Sequence, residues 1–245
     1  MGGQTGRRAD GRMRSVLALV GAGVLLTASA PARLPAQEVG HDPTHSPYHD
    51  VPRGGGPLFT MGYLSGNRGV VGVGPSSGTV WGLRWNARVG GMTTLVGNLA
   101  YAQTNRFVVN PADSQQYQKK GPFDSPTAMV DLGLQFALTG GKTWHGLSPY
   151  LGTALGFAMQ TSAPRDSSGY KFGTKLTLSP LIGAQWLPAR RLTVQADLRL
   201  VFWKLNYPLS YKQIAADSTR VLALDAAESQ WTRHPYVSIG VGWTF

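Results

Sequence analysis

The last nine residues of the chain, Val237-Ser238-Ile239-Gly240-Val241-Gly242-Trp243-Thr244-Phe245, alternate without a break. Successive side chains of an extended chain point to opposite sides, so Val237, Ile239, Val241, Trp243 and Phe245 share one face. Ser238, Gly240, Gly242 and Thr244 share the other. A strand this apolar on one face is an aggregation hazard at the open edge of a soluble sheet, and it is safe where the sheet closes on itself. The segment therefore predicts a strand of a closed barrel.

The same period of two recurs along the chain. Residues 80–89 set Trp81, Leu83, Trp85, Ala87 and Val89 against Gly82, Arg84, Asn86 and Arg88. After a tight turn at Gly90-Gly91, residues 92–104 set Leu95, Leu99 and Tyr101 against Thr94, Asn98 and Ala100. Residues 126–138 oppose Val130, Leu132, Leu134, Phe136 and Leu138 to Asp131, Gly133 and Gln135, and residues 147–160 oppose Leu151, Leu155, Phe157 and Met159 to Tyr150, Gly152, Ala154, Gly156 and Ala158. Residues 171–187 carry Leu176, Leu178, Ile182, Ala184 and Trp186 against Lys175, Thr177, Ser179, Gly183 and Gln185. In residues 191–203, Leu192, Val194, Ala196, Leu198, Leu200 and Phe202 face away from Thr193, Gln195, Asp197 and Arg199. With the terminal strand from about 233 and a weaker one at 57–65 (Phe59, Met61, Tyr63), the reading is all-β: an eight-stranded antiparallel up-and-down barrel.

Connection lengths alternate long and short: 66–79, 90–91, 105–125, 139–146, 161–170, 188–190 and 204–232. Strict alternation is what an up-and-down barrel with short turns at one end and longer loops at the other requires. Polarity then separates two kinds of barrel. A soluble ligand-carrying barrel keeps its charges outside, whereas here the face bearing Arg84, Arg88, Asp131, Lys175, Asp197 and Arg199 also bears most of the small residues. The other face is almost continuously aliphatic and aromatic, so it is the one predicted to meet lipid. Aromatics near strand ends (Tyr63, Trp81, Tyr101 and Phe202 at one end, Trp186, Trp243 and Phe245 at the other) fit two interfacial girdles.

On these residues, the terminal segment resembles the last strand of bacterial outer-membrane β-barrels, and residues 57–245 resemble the small eight-stranded OmpA/OmpX-type and OmpW-type barrels. The resemblance implies that Val237, Ile239, Val241, Trp243 and Phe245 form the signal read by the outer-membrane assembly machinery. It also implies an outer-membrane location, with outer-membrane lipid and lipopolysaccharide as partners, short turns in the periplasm and no cofactor.

The opposite end carries Arg7, Arg8, Arg12 and Arg14 before an apolar run from Val16 to Leu26 and the small residues Thr27 to Ala30. That order is the one of a secretory signal, and the run is too short to span a membrane as a helix. Cleavage is expected after Ala32 or Ala36, giving a signal peptide at 1–36, a periplasmic segment at 37–56 and the barrel at 57–245. Removing the leader takes away five Arg and one Asp, so the net charge falls from +11 to +7. The remaining cations form no run interleaved with aromatics, which argues against nucleic acid. The absence of Cys excludes disulfides and thiolate metal sites.

An interior of eight strands is just wide enough to be filled by side chains. The inward set Arg84, Arg88, Asn98, Asp131, Lys175, Asp197 and Arg199 is therefore expected to form a polar plug. Pairing across Gly90-Gly91 should put Arg84 opposite Asn98 and Arg88 opposite Thr94, so each Arg must find Asp131 or Asp197 elsewhere on the wall. The functional expectation is a structural or envelope-interaction barrel, with a narrow pore as the alternative. A lipid A-modifying barrel would need a His and Ser near the outer leaflet. Of His41, His45, His49, His145 and His234, His234 alone stands at the long-loop end, with no Ser or acid at a fixed short spacing on its face. The His41/His45/His49 spacing of four would stripe a helix with metal ligands, but Pro43 and Pro47 argue against a helix there, so no metal site is expected.

Overall fold

The alternation folds into strands long enough to cross a bilayer. The computed structural model describes residues 46–51, 54–166, 168–189 and 191–245. The expected leader, His41 and His45 lie outside them. The strands in chain order are β1 (Tyr48–Asp50), β2 (Gly56–Leu64), β3 (Gly78–Arg88), β4 (Thr93–Ala102), β5 (Asn105–Val109), β6 (Lys119–Asp124), β7 (Thr127–Ala137), β8 (Lys142–Trp144), β9 (Leu147–Gln160), β10 (Thr174–Trp186), β11 (Leu192–Asn206) and β12 (Ser229–Trp243). Eight of them, β2, β3, β4, β7, β9, β10, β11 and β12, pair antiparallel in that order, and β12 returns to pair with β2. The sheet has no open edge, and the fold is an all-β, eight-stranded antiparallel up-and-down barrel.

The inside and outside follow the alternation. Leu83, Leu132, Leu155, Leu176, Ile182 and Ile239 are exposed on the outer wall, while Arg84, Asp131, Asp197 and Arg199 are buried within. The outer aromatics sit where the sequence puts them, and Phe59 packs at a tilt against Trp81 on the neighbouring strand, ring centroids 5.8 Å apart. A continuous outer belt of aliphatic and aromatic side chains is far larger than water tolerates. A closed barrel satisfies all its wall hydrogen bonds internally, so such a belt belongs in hydrocarbon. Register matches expectation: Arg84 lies opposite Asn98, and Arg88 opposite Thr94.

Most strand ends fall within three residues of those read from the alternation. β12 is the exception, starting at Ser229, and β11 continues to Asn206. The extension of β11 carries Lys204 and Asn206 outward, and the residues added to β12 at 229–232 carry Ser229 and Trp231 outward. Pairing there goes on past the end of the apolar belt, where hydrophobic periodicity stops reporting it.

Two short ribbons lie outside the barrel wall. β5 and β6 form a hairpin inside the long connection between β4 and β7. At the short-turn end, β1 pairs with β8, matching Tyr48 with Trp144 and Asp50 with Lys142. The Val51 amide donates to Gly141 O at 3.0 Å, holding the N-terminal segment beside the turn between β7 and β9.

Candidate functional site

Alternation aims one residue in two of each barrel strand at the lumen, and two arginines and two aspartates among them meet across it. Arg84 of β3 forms an ion pair with Asp197 of β11, both fully buried. Arg199 Nη1 of β11 lies 3.4 Å from Asp131 Oδ1 of β7. In each case the two strands are three apart around the ring, so both pairs run across the lumen as chords.

Neutral groups join the chords into a layer. The Tyr150 hydroxyl and Arg84 both donate to Asp197. Gln195 Nε2 donates to Tyr150 Oη at 2.6 Å and to Gln135 Oε1 at 3.3 Å. Gln195 Oε1 accepts from Asn86 Nδ2 at 3.0 Å, and Asn98 Nδ2 donates to Asp131 Oδ2 at 3.1 Å. The Arg199 guanidinium also lies over the Tyr236 ring, 5.9 Å from its centroid. Low dielectric strengthens each of these bonds and makes an unpaired member expensive.

Glycines make room for the layer. A Cβ at Gly183 would lie 2.5 Å from Tyr150 Oη and 2.6 Å from its Cζ, so the Tyr150 ring fits across β10 because no side chain stands there. Gly156 leaves the same space beside Asp131. Gly183→Ala is expected to push Tyr150 away from Asp197 and to destabilise the barrel by about 1–3 kcal/mol through overpacking. Urea unfolding of the variant in lipid vesicles checks this, and a midpoint equal to wild type would contradict it.

Two of the expected lumen residues stand apart from the layer. Arg88 lies four residues, about 13 Å, further along β3 than Arg84. There its Nη1 donates to Gly91 O at 3.3 Å, within its own turn. Lys175 of β10 is buried towards the long-loop end, its Nζ 5.8 Å from the Phe172 ring centroid, and it reaches neither Asp131 nor Asp197. Distance along the barrel axis is the reason in both cases, and a face assignment alone does not contain it.

Above the polar layer the sequence reading missed an apolar cap. Inward Leu64, Val80, Val201, Trp203 and Leu205 from the wall cluster with Val71, Val73, Phe172, Tyr207, Tyr211 and Leu222 from the long connections, which fold over the lumen. Arg106 of β5 is held to Asp166 at 2.9 Å, with both side chains buried, tying the β5/β6 hairpin to the connection after β9. Tyr170 and Tyr211 stack at 6.5 Å, and burial pushes the Tyr211 hydroxyl up to about 12. That hydroxyl shares a hydrogen bond with Ser168 Oγ, 3.2 Å away.

His234 belongs to the same cap. Its ring is fully buried and stacks on Trp203 at 3.8 Å, Nδ1 accepts the Asn67 amide at 3.0 Å, and Nε2 lies 2.8 Å from Thr232 Oγ1. Both ring nitrogens are engaged inside the barrel and neither faces lipid. His49 and His145 lie at the short-turn end, near the β1/β8 ribbon. No group of three or more His, Cys, Asp or Glu among the described residues is placed to hold a metal ion.

On the outer wall, Val237, Ile239, Val241 and Trp243 project from β12, exposed between β11 and β2. Phe245 follows the strand, and its amide donates to Gly55 O at 3.1 Å.

No family model matches the chain, and no curated protein matches it. Solved structures similar to it include Neisserial surface protein A, at 14% identity and a TM-score of 0.47, covering 82% of this chain and 98% of that one. The outer membrane protein OprG from Pseudomonas aeruginosa matches at 15% identity and a TM-score of 0.46, covering 80% and 97%. The N-terminal β-barrel domain of Pseudomonas aeruginosa OprF matches at 11% identity and a TM-score of 0.44, covering 79% and 98%. The architecture of this chain is that of a small outer-membrane β-barrel. That assignment rests on its own closed strand order and outward apolar belt.

Proposed function

We propose that the protein serves the outer membrane as a non-conducting barrel with a structural or envelope-interaction role, working through its wall and long-loop surface. The observation that supports this reading is the crossing of the lumen by the buried Arg84–Asp197 and Arg199–Asp131 pairs. The apolar cap above them adds a second barrier to water.

In this reading residues 1–36 direct export, residues 37–56 form a periplasmic segment, and the short turns face the periplasm. Val237, Ile239, Val241, Trp243 and Phe245 engage the assembly machinery, and the belt contacts outer-membrane lipid and lipopolysaccharide. No catalytic residue is assigned, since His234, the histidine at the long-loop end among the described residues, is spent on Asn67 and Thr232.

Efflux from proteoliposomes tests the closed lumen. Vesicles carrying the protein should retain a small sugar as long as protein-free vesicles do. Rapid efflux would overturn the reading in favour of a narrow pore.

A further inference from the structure

Followed residue by residue, the outward rows of the eight barrel strands carry two charges, Lys204 on β11 and Arg233 on β12. They are neighbours. Phe202 pairs with Arg233 and Lys204 with Trp231, which makes Lys204 and Arg233 diagonal across the two strands, about 7–8 Å apart at the backbone. Both stand at the long-loop end, where an outward cation costs little, whereas at the middle of the belt it would cost several kcal/mol.

Arg233 also lines a cavity of about 620 Å³ between β12 and the connection from β2 to β3, together with Arg68, Asn67, Asn105, Ser76 and Ser77. The lining contains two guanidinium groups and no acid. Arg233 makes no ion pair or side-chain hydrogen bond among the described residues. Arg68 is oriented by its Nη2 donating to Asn105 Oδ1 at 3.1 Å and by lying over Phe107, 4.5 Å from the ring centroid. Its remaining donors are free for an acceptor.

Depth selects the ligand. On β12 the outward residues below Arg233 are Pro235 and then Val237, Ile239 and Val241, and on β2 the exposed Tyr63 stands opposite Val237. Arg233 lies four residues, about 13 Å, along the strand from Val237. The cavity thus opens where the apolar belt gives way to polar surface, the level of lipid headgroups. Planar guanidinium groups match phosphate oxygens in pairs, and the Ser77 hydroxyl and the Asn67 and Asn105 side-chain amides, engaged so far only as acceptors, add neutral donors.

We propose that this rim cavity, with Lys204 beside it, binds the phosphate of a phosphorylated lipid headgroup in the leaflet at the long-loop end. The proposal rests on the outer-membrane reading above, which makes that leaflet the outer one. It does not rest on a closed lumen, because Arg233 and Lys204 stand on the outer wall.

The test uses the full chain reconstituted into phosphatidylcholine vesicles containing a minor fraction of bis-phosphorylated lipid A, with phosphate-free lipid A and inorganic phosphate as separate arms. Wild type should retain the phosphorylated lipid over the phosphate-free form. Arg233→Gln and Lys204→Gln should each weaken that retention about five-fold, and roughly additively, with unchanged heat-modifiable migration. Equal retention of both lipids, or retention untouched by Arg233→Gln, would overturn the proposal. Binding of inorganic phosphate that depends on Arg233, with no preference for the phosphorylated lipid, would assign the cavity to soluble phosphate and overturn the lipid assignment. A leaky barrel in the efflux experiment leaves this outcome unaffected, so the two readings fail separately.

Discussion

Asp197→Ala is expected to destabilise the folded barrel by about 3–5 kcal/mol, the cost of leaving a buried charge without its partner. Asp197 accepts from Arg84, from the Tyr150 hydroxyl and, at 3.5 Å, from Ser238 Oγ, so one truncation strands three donors. The pair is shielded from solvent on both sides, and no screening discount applies. Asp131→Ala should cost less, because the Arg199 contact is 3.4 Å and the Asp131 side chain keeps 10% of its exposure. Replacing Arg84 and Asp197 together by Met and Leu should recover most of the loss, since apolar groups of similar volume leave no charge to satisfy. Urea unfolding in lipid vesicles measures all three. An Asp197→Ala midpoint matching wild type would show that water, and not the pair, fills the lumen.

Leu132→Arg is expected to cost about 2–4 kcal/mol in a bilayer, the penalty for a cation at mid-depth on the lipid face. Leu132 is the central residue of β7 and points outward, 66% exposed. The same change at Leu138, past the end of that strand at the short-turn side, should cost at most about 1 kcal/mol because Arg reaches the interface there. The contrast between the two positions separates lipid from water. On a soluble barrel both are exposed surface sites, and each change would fall within about 0.5 kcal/mol of neutral. Equal, near-neutral effects at Leu132 and Leu138 would remove the protein from the membrane.

The wall was legible in the sequence because two solvents enforce it. Lipid outside and a polar lumen inside impose a period of two on every crossing strand, and Val130, Leu132 and Leu134 against Asp131 and Gln135 report it directly. The β1/β8 ribbon was not legible, since three residues are too few to show a period. The β5/β6 hairpin was hidden too, because β6 is exposed along its whole length and shows no alternation.

The lumen site was legible by face and illegible by height. Alternation put Arg84, Asn98, Asp131, Asp197 and Arg199 inside, but it left open whether Arg84 or Arg88 would reach a carboxylate. That choice depends on the stagger of β3 against β11 around the barrel, which no single strand encodes. Tyr150 was readable as inward, yet its reach to Asp197 depends on Gly183 one strand away. The apolar cap escaped because the connections that build it read as polar loops, rich in Ser, Asp and Pro, with Phe172, Tyr207 and Tyr211 scattered among them.

Single-channel recording in planar lipid bilayers tests the closed lumen most directly. The account predicts no conductance steps from wild-type protein. It predicts that steps appear only when both chords and the cap are breached, as in Asp131→Ala with Asp197→Ala and Trp203→Ala. Reproducible unitary steps from the wild type, unchanged in size when Asp131 and Asp197 are replaced, would mean that ions pass where these pairs are said to close the barrel, and would contradict it.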